Sequence, residues 1–317
     1  MRAAMMDADV GDDVLGDDPT VNTLEAYTAQ LLGKTAGLYV PTGTQSNLCA
    51  LMAHCQRGDE YIVGHHAHTY MYEAGGAAVL GSIQPQPVPT LDDGMIDLDA
   101  AAASVKPHDN HFARTRLLCL ENTTDGKVLT IEQMGQARDL ADRFGLAFHL
   151  DGARLWNAAV ELGVPPAEVA APFDTVSVCL SKGLGAPMGS VLVGPADLIA
   201  EARKWRKMLG GGMRQAGVVA AAGQYALEHN IDRLAQDHHN AGRLAAGLCD
   251  LPGVQVDAHN TNMVFVTLET DHPGWLERLR QRGVETRWSS RSTRLVTHLD
   301  VTAADIDATI EAVAAEV

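Results

Sequence analysis

TVSVCLSKGLGAPMGSVLVG, residues 175–194, begins with an apolar run, passes through a glycine-rich turn and ends in a second apolar run. This pattern predicts two strands joined by a tight turn, with Lys182 just after the first strand. A lysine in that place is partly withdrawn from water, which favours the neutral amine that forms imines. The alternative is a solvated loop lysine. Surface lysines usually have charged neighbours, whereas Lys182 lies among Ser181, Gly183 and Pro187.

HLDGAR, residues 149–154, lies upstream of that segment and follows the apolar run that starts at Gly145. The pattern places Asp151 at the end of a strand, where open α/β sheets bind their ligands. A carboxylate there would keep a buried aromatic nitrogen protonated. From the residues alone, a helix N-cap ahead of Arg154 explains Asp151 equally well.

PTGTQS, residues 41–46, follows the strand-like run GLYV (37–40) and precedes a helical segment. Gly43 and Thr44 at a helix start would expose backbone N–H groups where the helix dipole favours an anion. The segment lacks the lysine of a nucleotide-binding P-loop. An ordinary capped helix is the plainer alternative.

Strand-like and helix-like segments alternate through the middle of the chain, for example the helical pattern of residues 131–145. This order predicts an α/β fold with a mostly parallel sheet that is covered on both faces. The remaining strand-like runs are EYIV (60–63), AAVL (77–80) and RLLCLEN (116–122).

The pattern changes after about residue 225. Residues 226–248 predict one long amphipathic helix, and three short strand-like runs and a final helix capped by Thr302 follow. We therefore predict a large domain over 1–235 and a small C-terminal α+β domain over 236–317. The three runs are VQVDAH (254–259), NMVFVTL (262–268) and TRLVTH (293–298).

The composition is that of a soluble globular protein: 317 residues, 46% hydrophobic, with a formal charge of −16. Such an acidic chain argues against nucleic acid and anionic membranes as partners. It has no apolar run of about 18 residues, which a membrane helix would need. The first residues turn acidic at once and lack the pattern of a signal peptide, so we expect a cytoplasmic protein.

Metal and disulfide sites are not expected. The five cysteines are scattered without a Cys-x-x-Cys pair, which is typical of reduced core thiols. His65, His66 and His68 are close in sequence but have no cysteine or carboxylate partner in a ligand spacing.

An anion cradle, an acid and a lysine are the three parts of a pyridoxal 5′-phosphate (PLP) site. Their order here, with Asp151 and Lys182 31 positions apart, matches the fold type I PLP enzymes. Motifs along the whole chain make the likeness specific, and the sequence resembles the low-specificity L-threonine aldolase family. The motifs are GDDVLGDDPTVNTLE (11–25), PTGTQSNL (41–48), IVGHHAHTYMYEAGGAAVLGSIQPQP (62–87), ARTRLLCLEN (113–122), HLDGAR (149–154), CLSKGLGAPMGSVLVG (179–194), WRKMLGGGMRQAG (205–217) and RLVTHLD (294–300).

The resemblance implies a role for each matching residue. Lys182 would hold PLP, Asp151 would pair with its ring nitrogen, and Gly43 and Thr44 would bind its phosphate. His68 would stack on the cofactor ring near the substrate hydroxyl. The other residues implied are His111 near the substrate side chain, Arg154 and Arg294 on the substrate carboxylate, and Lys207 and Arg214, from a neighbouring subunit, on the phosphate.

The implied protein is a homotetramer of fold type I subunits that share their active sites. It would cleave L-threonine, L-allo-threonine and related β-hydroxy-α-amino acids to glycine and an aldehyde. Another fold type I β-eliminating lyase and a PLP-binding homologue with impaired turnover are the alternatives. The sequence departs from the family pattern at Leu15, where tyrosine is usual, and at Thr124, where histidine is common. The family also has an Arg-Ser-Asp-Thr segment upstream of the position of Met1.

The run Gly210-Gly211-Gly212, inside the WRKMLGGGMR segment, is unusual in a helix-rich region. Glycine allows a close approach of the backbone to another group, and we expect such an approach here.

Overall fold

The computed structural model describes residues 1–270, 274–286 and 291–317. Within them the chain forms two compact units. Unit 1 comprises residues 1–124 and 128–231, and unit 2 comprises residues 125–127 and 232–317. The division into a large domain over 1–235 and a small domain over 236–317 remains a prediction.

A seven-stranded sheet forms the centre of unit 1, in the order β1-β7-β6-β5-β4-β2-β3. Strands β2 to β6 pair in parallel, and β7 is antiparallel to both β6 and β1. Six strands therefore run in one direction, which confirms the predicted α/β class with a mostly parallel sheet. The strands are β1 (Ala36–Val40), β2 (Asp59–Gly64), β3 (Gln84–Val88), β4 (Arg114–Glu121), β5 (Ala147–Asp151), β6 (Thr175–Cys179) and β7 (Ser190–Gly194).

Strands β2, β6 and β7 are buried along their whole length. Burial on both faces explains why they read as continuous apolar runs rather than as alternating patterns. The helices of unit 1 precede, separate and follow these strands. They are α1 (Arg2–Met6), α2 (Pro19–Leu31), α3 (Gly43–His54), α4 (His68–Met71), α5 (Gly76–Val79), α6 (Leu98–Ser104), α7 (Ile131–Phe144), α8 (Leu155–Leu162), α9 (Pro166–Ala170), α10 (Ala196–Met208) and α11 (Gly217–His229).

Helix α7 shows how local sequence sets these boundaries. It begins with a capping box, in which Thr130 accepts from the Gln133 backbone and the Gln133 side chain accepts from the Thr130 backbone. It ends at Gly145, which has a left-handed φ of 63°. The predicted helix over 131–145 is confirmed.

Unit 2 contains an antiparallel sheet in the order β10-β9-β8, with Ala241, Leu244, Val264 and Val266 among its buried core residues. The final helix begins at Thr302 with a capping box to Asp305, as predicted. The elements of unit 2 are α12 (Leu234–Cys249), β8 (Val254–Asn260), β9 (Met263–Leu268), α13 (Trp275–Gln281), β10 (Ser292–Val296) and α14 (Ala303–Ala314).

Two predicted elements are wrong. AAVL (77–80) was expected as a strand, but residues 76–79 form α5, and β3 follows over QPQPV. The long helix over 226–248 is two helices, because α11 ends at His229 and α12 starts at Leu234. Asn230 marks the break, since its side-chain amide donates to the Leu184 carbonyl at 2.7 Å instead of pointing into solvent. Among the described residues, no helix is long and apolar enough to cross a membrane.

Candidate active site

Strands β1, β2, β4, β5 and β6 run in one direction, so their carboxyl ends meet at one edge of the sheet. Each strand delivers a chemically active group there. The Asp151 and Lys182 charges both act on His68 and on Glu121, so these four groups lie close together. The groups are the start of α3 after β1, His68 after β2, Glu121 at the end of β4, Asp151 at the end of β5 and Lys182 after β6.

The first turn of α3 presents two open backbone donors. Thr42 is the N-cap, and its hydroxyl accepts from the Gln45 N–H at 3.1 Å. Among the described residues, none accepts from the N–H of Gly43 or of Thr44. A Cβ at Gly43 would lie 2.8 Å from the Cys179 sulfur, so this turn packs against the end of β6. The arrangement is suited to an anion.

Asp151 is 3% exposed, and both of its carboxylate oxygens accept hydrogen bonds. One oxygen accepts from the Asn47 side-chain amide at 2.8 Å and the other from the Ala153 N–H at 3.1 Å. The N-cap position of α8 belongs to Arg154. The helix-cap explanation of Asp151 is therefore wrong, and its carboxylate is fixed at the carboxyl end of the sheet.

Lys182 lies half-buried in the turn after β6. Its carbonyl accepts from the Gly185 N–H at 2.9 Å. Gly189 closes the turn with a φ of 106°, and a Cβ there would lie 2.5 Å from the Tyr39 ring. Glycine is thus required sterically in the segment that places Lys182.

His68 begins α4, and two hydrogen bonds fix its position. Its Nδ1 lies 2.9 Å from the Glu73 carboxylate, and its backbone N–H donates to Glu121 at 2.7 Å. The hydrogen bond to Glu73 raises the pKa of His68 above its usual value. Burial raises the pKa of Glu73, although His68 and Asn47 both hydrogen-bond to it. Burial, with the charge of Asp151 second, raises the pKa of Glu121 to about 8.

The ligand atoms of His68, Glu73 and Asp151 lie within 4.8 Å of one another, close enough to surround a cation. However, Asn47 donates one N–H to Glu73 and the other to Asp151. The two carboxylates are thus bridged by an amide. Neither Asn47, Glu73 nor Glu121 was predicted from the sequence.

Lys207 and Arg214 lie in and after the last turn of α10, and both are exposed. Arg214 forms an ion pair with Asp12 at 2.5 Å. Between them, a Cβ at Gly211 would lie 1.8 Å from the Gln45 side-chain oxygen. The expected close approach of the glycine run is therefore confirmed, and its partner is Gln45, next to Thr44.

His111 lies in the loop that leads into β4, with its side chain 86% exposed and its ring 2.5 Å from Asp109. The loop meets the amino end of β4, whereas Glu121 is at the carboxyl end. Eight residues of strand separate these ends by about 25 Å. Within one chain, His111 is therefore at the edge of the sheet opposite to Asp151.

The two arginines predicted to bind a carboxylate occupy different units. Arg154 is the N-cap residue of α8 in unit 1, and its charge acts on Cys179 at the end of β6. Arg294 lies on β10 of unit 2, 3.9 Å from the Asp125 carboxylate, with its side chain 48% exposed.

A family model described as beta-eliminating lyase matches residues 1–271. A low specificity L-threonine aldolase of Escherichia coli (strain K12) is 53% identical over 302 residues, covering 95% of this chain and 90% of the relative. The chain belongs to the low-specificity L-threonine aldolases, within the beta-eliminating lyase family. Low-specificity L-threonine aldolase 1 of Arabidopsis thaliana is 43% identical, over 98% of this chain and 90% of its own length.

Solved structures share the fold of this low-specificity threonine aldolase family member. A putative L-allo-threonine aldolase of Listeria monocytogenes superposes with a TM-score of 0.82 at 21% identity, covering 100% of this chain and 94% of that one. The Leishmania major threonine aldolase gives 0.79 at 21% identity, covering 93% and 89%. At these identities the likeness is one of fold.

Proposed function

We propose that this protein cleaves L-threonine, L-allo-threonine and related β-hydroxy-α-amino acids to glycine and an aldehyde, with PLP as cofactor. The relatives named low-specificity L-threonine aldolase support the substrate class. One observation supports PLP as the cofactor: Lys182, Asp151 and the open N–H groups of Gly43 and Thr44 all lie at the carboxyl edge of the sheet.

The residues at this edge fit PLP. Lys182 offers a half-buried amine for the cofactor aldehyde, and Asp151 offers a buried carboxylate for the ring nitrogen. Gly43 and Thr44 donate to the phosphate. In this proposal His68 covers the ring, and Lys207 and Arg214 bring positive charge to the phosphate from a neighbouring subunit.

Arg154 and Arg294 orient the substrate through its carboxylate, since a guanidinium group binds a carboxylate with two parallel hydrogen bonds. The orientation of the bound substrate would decide which of its bonds is cleaved. The arginines therefore select the Cα–Cβ bond for cleavage.

His68, or a water that it positions with His111, would be the base that takes the β-hydroxyl proton. Glu73 accepts from its Nδ1–H, which leaves Nε2 free to receive a proton, and it also makes the ring more basic. When that proton leaves, the Cα–Cβ bond breaks, the hydroxyl carbon becomes the aldehyde carbonyl, and Cα takes up a proton to give glycine. Bound PLP supplies the electron sink for the pair left on Cα.

His111 acts near the substrate side chain only if a second copy of the chain supplies it, because its own loop is at the opposite edge of the sheet. This requirement supports the proposed homotetramer with shared active sites. The protein is proposed to be cytoplasmic, with no nucleic acid or membrane partner.

The test is a product assay with L-threonine on protein loaded with PLP. We expect glycine and acetaldehyde in equal amounts. Ammonia and a keto acid would instead indicate a β-eliminating lyase, and cofactor colour without product would indicate a homologue with impaired turnover. Borohydride reduction followed by peptide mapping should place the cofactor on Lys182. If Lys182→Ala kept both the trapped cofactor and the activity, the assignment would be wrong.

A further inference from the structure

A continuous line of hydrogen bonds crosses the interior of unit 1 and ends on Asp151. His54 Nε2 lies 2.8 Å from the Thr175 hydroxyl, which lies 2.8 Å from His149 Nδ1. His149 Nε2 lies 3.2 Å from the Asn47 side-chain oxygen. The Asn47 amide nitrogen then reaches Asp151, and Glu73 beside it. The members come from α3, β5 and β6, so the line depends on the tertiary fold.

The donors and acceptors in this line can be assigned at every step. The Asn47 side-chain nitrogen donates its two hydrogens to the two carboxylates. In the bond between Asn47 and His149, the Asn47 side-chain oxygen is therefore the acceptor and His149 Nε2 is the donor. Burial lowers the pKa of His149 to about 3, so its ring is neutral and Nδ1 accepts from the Thr175 hydroxyl. That hydroxyl accepts in turn from His54 Nε2. All the bonds point toward Asp151.

Hydrogen bonds aligned in this way polarise one another, and donors to a carboxylate favour its ionised form. Asn47, His149 and Thr175 are 2%, 0% and 1% exposed, so water cannot replace a lost member. If His149 carried its proton on Nδ1 instead, Nε2 would face the Asn47 oxygen as a second acceptor. The Asn47 amide would then turn its oxygen toward the carboxylates.

We propose that Asn47 is a positioning residue that orients the Asp151 carboxylate for the cofactor ring nitrogen, and that His149 and Thr175 fix the amide orientation required for this. The inference rests on the proposed function. It extends that proposal because neither Asn47 nor His149 touches the reacting atoms. Their effect on the ring nitrogen passes through Asp151, and the second hydrogen bond of Asn47 goes to Glu73.

The experiment compares two ligands on apoprotein: PLP and an analogue with carbon in place of the ring nitrogen. Dissociation constants are measured from quenching of tryptophan fluorescence. The wild type should prefer PLP, because only PLP can bond to Asp151. Asn47→Leu should reduce this preference about tenfold, as expected for one charge-assisted hydrogen bond. A purely structural loss would weaken both ligands equally and leave the preference unchanged.

Variants of the next two members test the line even if Asn47→Leu does not fold. His149→Leu and Thr175→Val should each reduce the preference. His149→Gln, which keeps a side-chain N–H near the Nε2 position, should restore it toward the wild-type value. Asn240→Leu is the matched control, because Asn240 is a buried asparagine of unit 2 whose amide donates to the Val301 carbonyl. It should leave the preference unchanged.

An unchanged preference in folded Asn47→Leu and His149→Leu would overturn the inference while the proposed function stood. A wild-type protein that bound neither ligand would overturn the proposed function, and the inference with it. The two failures are therefore distinguishable.

Discussion

Gly43→Ala is expected to disturb the start of α3 through one identifiable contact. The added Cβ would lie 2.8 Å from the Cys179 sulfur and 3.5 Å from the Ser190 hydroxyl oxygen. The first distance is shorter than carbon and sulfur tolerate, and both partners are buried at strand ends. The first turn of α3 must therefore move away from β6, and the open N–H groups of Gly43 and Thr44 move with it.

The cost of such overpacking is about 1–3 kcal/mol. Alanine gains about 1 kcal/mol over glycine in a helix, so the net loss in unfolding free energy is about 0–2 kcal/mol. PLP affinity should fall about tenfold if one charge-assisted hydrogen bond to the phosphate is lost. Urea denaturation of the apoprotein measures the first effect, and a PLP titration measures the second.

The double variant Gly43→Ala/Cys179→Ala decides whether the stated contact is the cause. Cys179→Ala removes the sulfur atom that the new Cβ meets, so the double variant should recover most of the PLP affinity lost by Gly43→Ala. Gly135→Ala is the matched control, because no atom lies within 4 Å of a Cβ there and the site is in the interior of α7. It should stabilise the protein by about 0.5–1 kcal/mol. Wild-type affinity in Gly43→Ala, or no recovery in the double variant, would refute the reasoning.

Three further predictions concern buried charges. Arg206→Met should lower the unfolding free energy by about 3–5 kcal/mol in urea denaturation, because it strands the Asp13 carboxylate, which lies 2.8 Å away in a pair that is almost fully buried. Asp13→Leu/Arg206→Met should be close to the wild type, and an equal loss in the double variant would contradict this account. Glu73→Gln should lower the pKa of His68 toward about 6.5 in an NMR titration. A histidine whose pKa is raised in the folded state stabilises the fold below about pH 6.5, and this stabilisation is lost as pH rises through the folded-state pKa. Glu73→Gln should therefore lose most stability in acid. An unchanged His68 titration would exclude Glu73 as the cause. Glu121 has its pKa raised from 4.5 to about 8, so the folded chain holds a proton that the unfolded chain releases, and apoprotein stability should fall as pH rises through that interval. Glu121→Gln should remove this fall, and an unchanged slope of unfolding free energy against pH would contradict the assignment.

The main features of the sheet edge could be predicted because each is local in sequence. A strand, a glycine-rich turn and Lys182 follow one another within a single segment, as do the strand and Asp151. Once the sheet is parallel, the strand ends must meet. Only the tertiary structure shows that Arg154, not Asp151, is the N-cap residue of α8, and that the Asp151 carboxylate bonds to Asn47, 104 positions away in the sequence.

The residues that sequence reasoning missed carry weaker signals. Asn47 and His149 are polar residues inside apolar segments of α3 and β5, and such residues need buried partners. The sequence indicates that Asn47 and His149 need hydrogen-bond partners, but it does not identify those partners. The prediction of a strand at AAVL (77–80) was wrong because a run of four apolar residues is too short to show the periodicity that distinguishes a strand from a helix.

The net charge of the whole chain does not predict how charged groups are arranged at the candidate site. The net charge of the chain is −16, and the carboxyl edge of the sheet holds Glu73, Glu121 and Asp151 together with Lys182. In the proposed function, the phosphate donors of unit 1 would be the neutral N–H groups of Gly43 and Thr44, and positive charge would come from exposed side chains such as Lys207. Burial raises the pKa of Glu73 and of Glu121, so of the three acidic groups we propose only Asp151 as the partner of the ring nitrogen. In the proposed function, the two charges of PLP would therefore be held apart: the N–H groups of Gly43 and Thr44 would take the phosphate, and the Asp151 carboxylate would take the ring nitrogen.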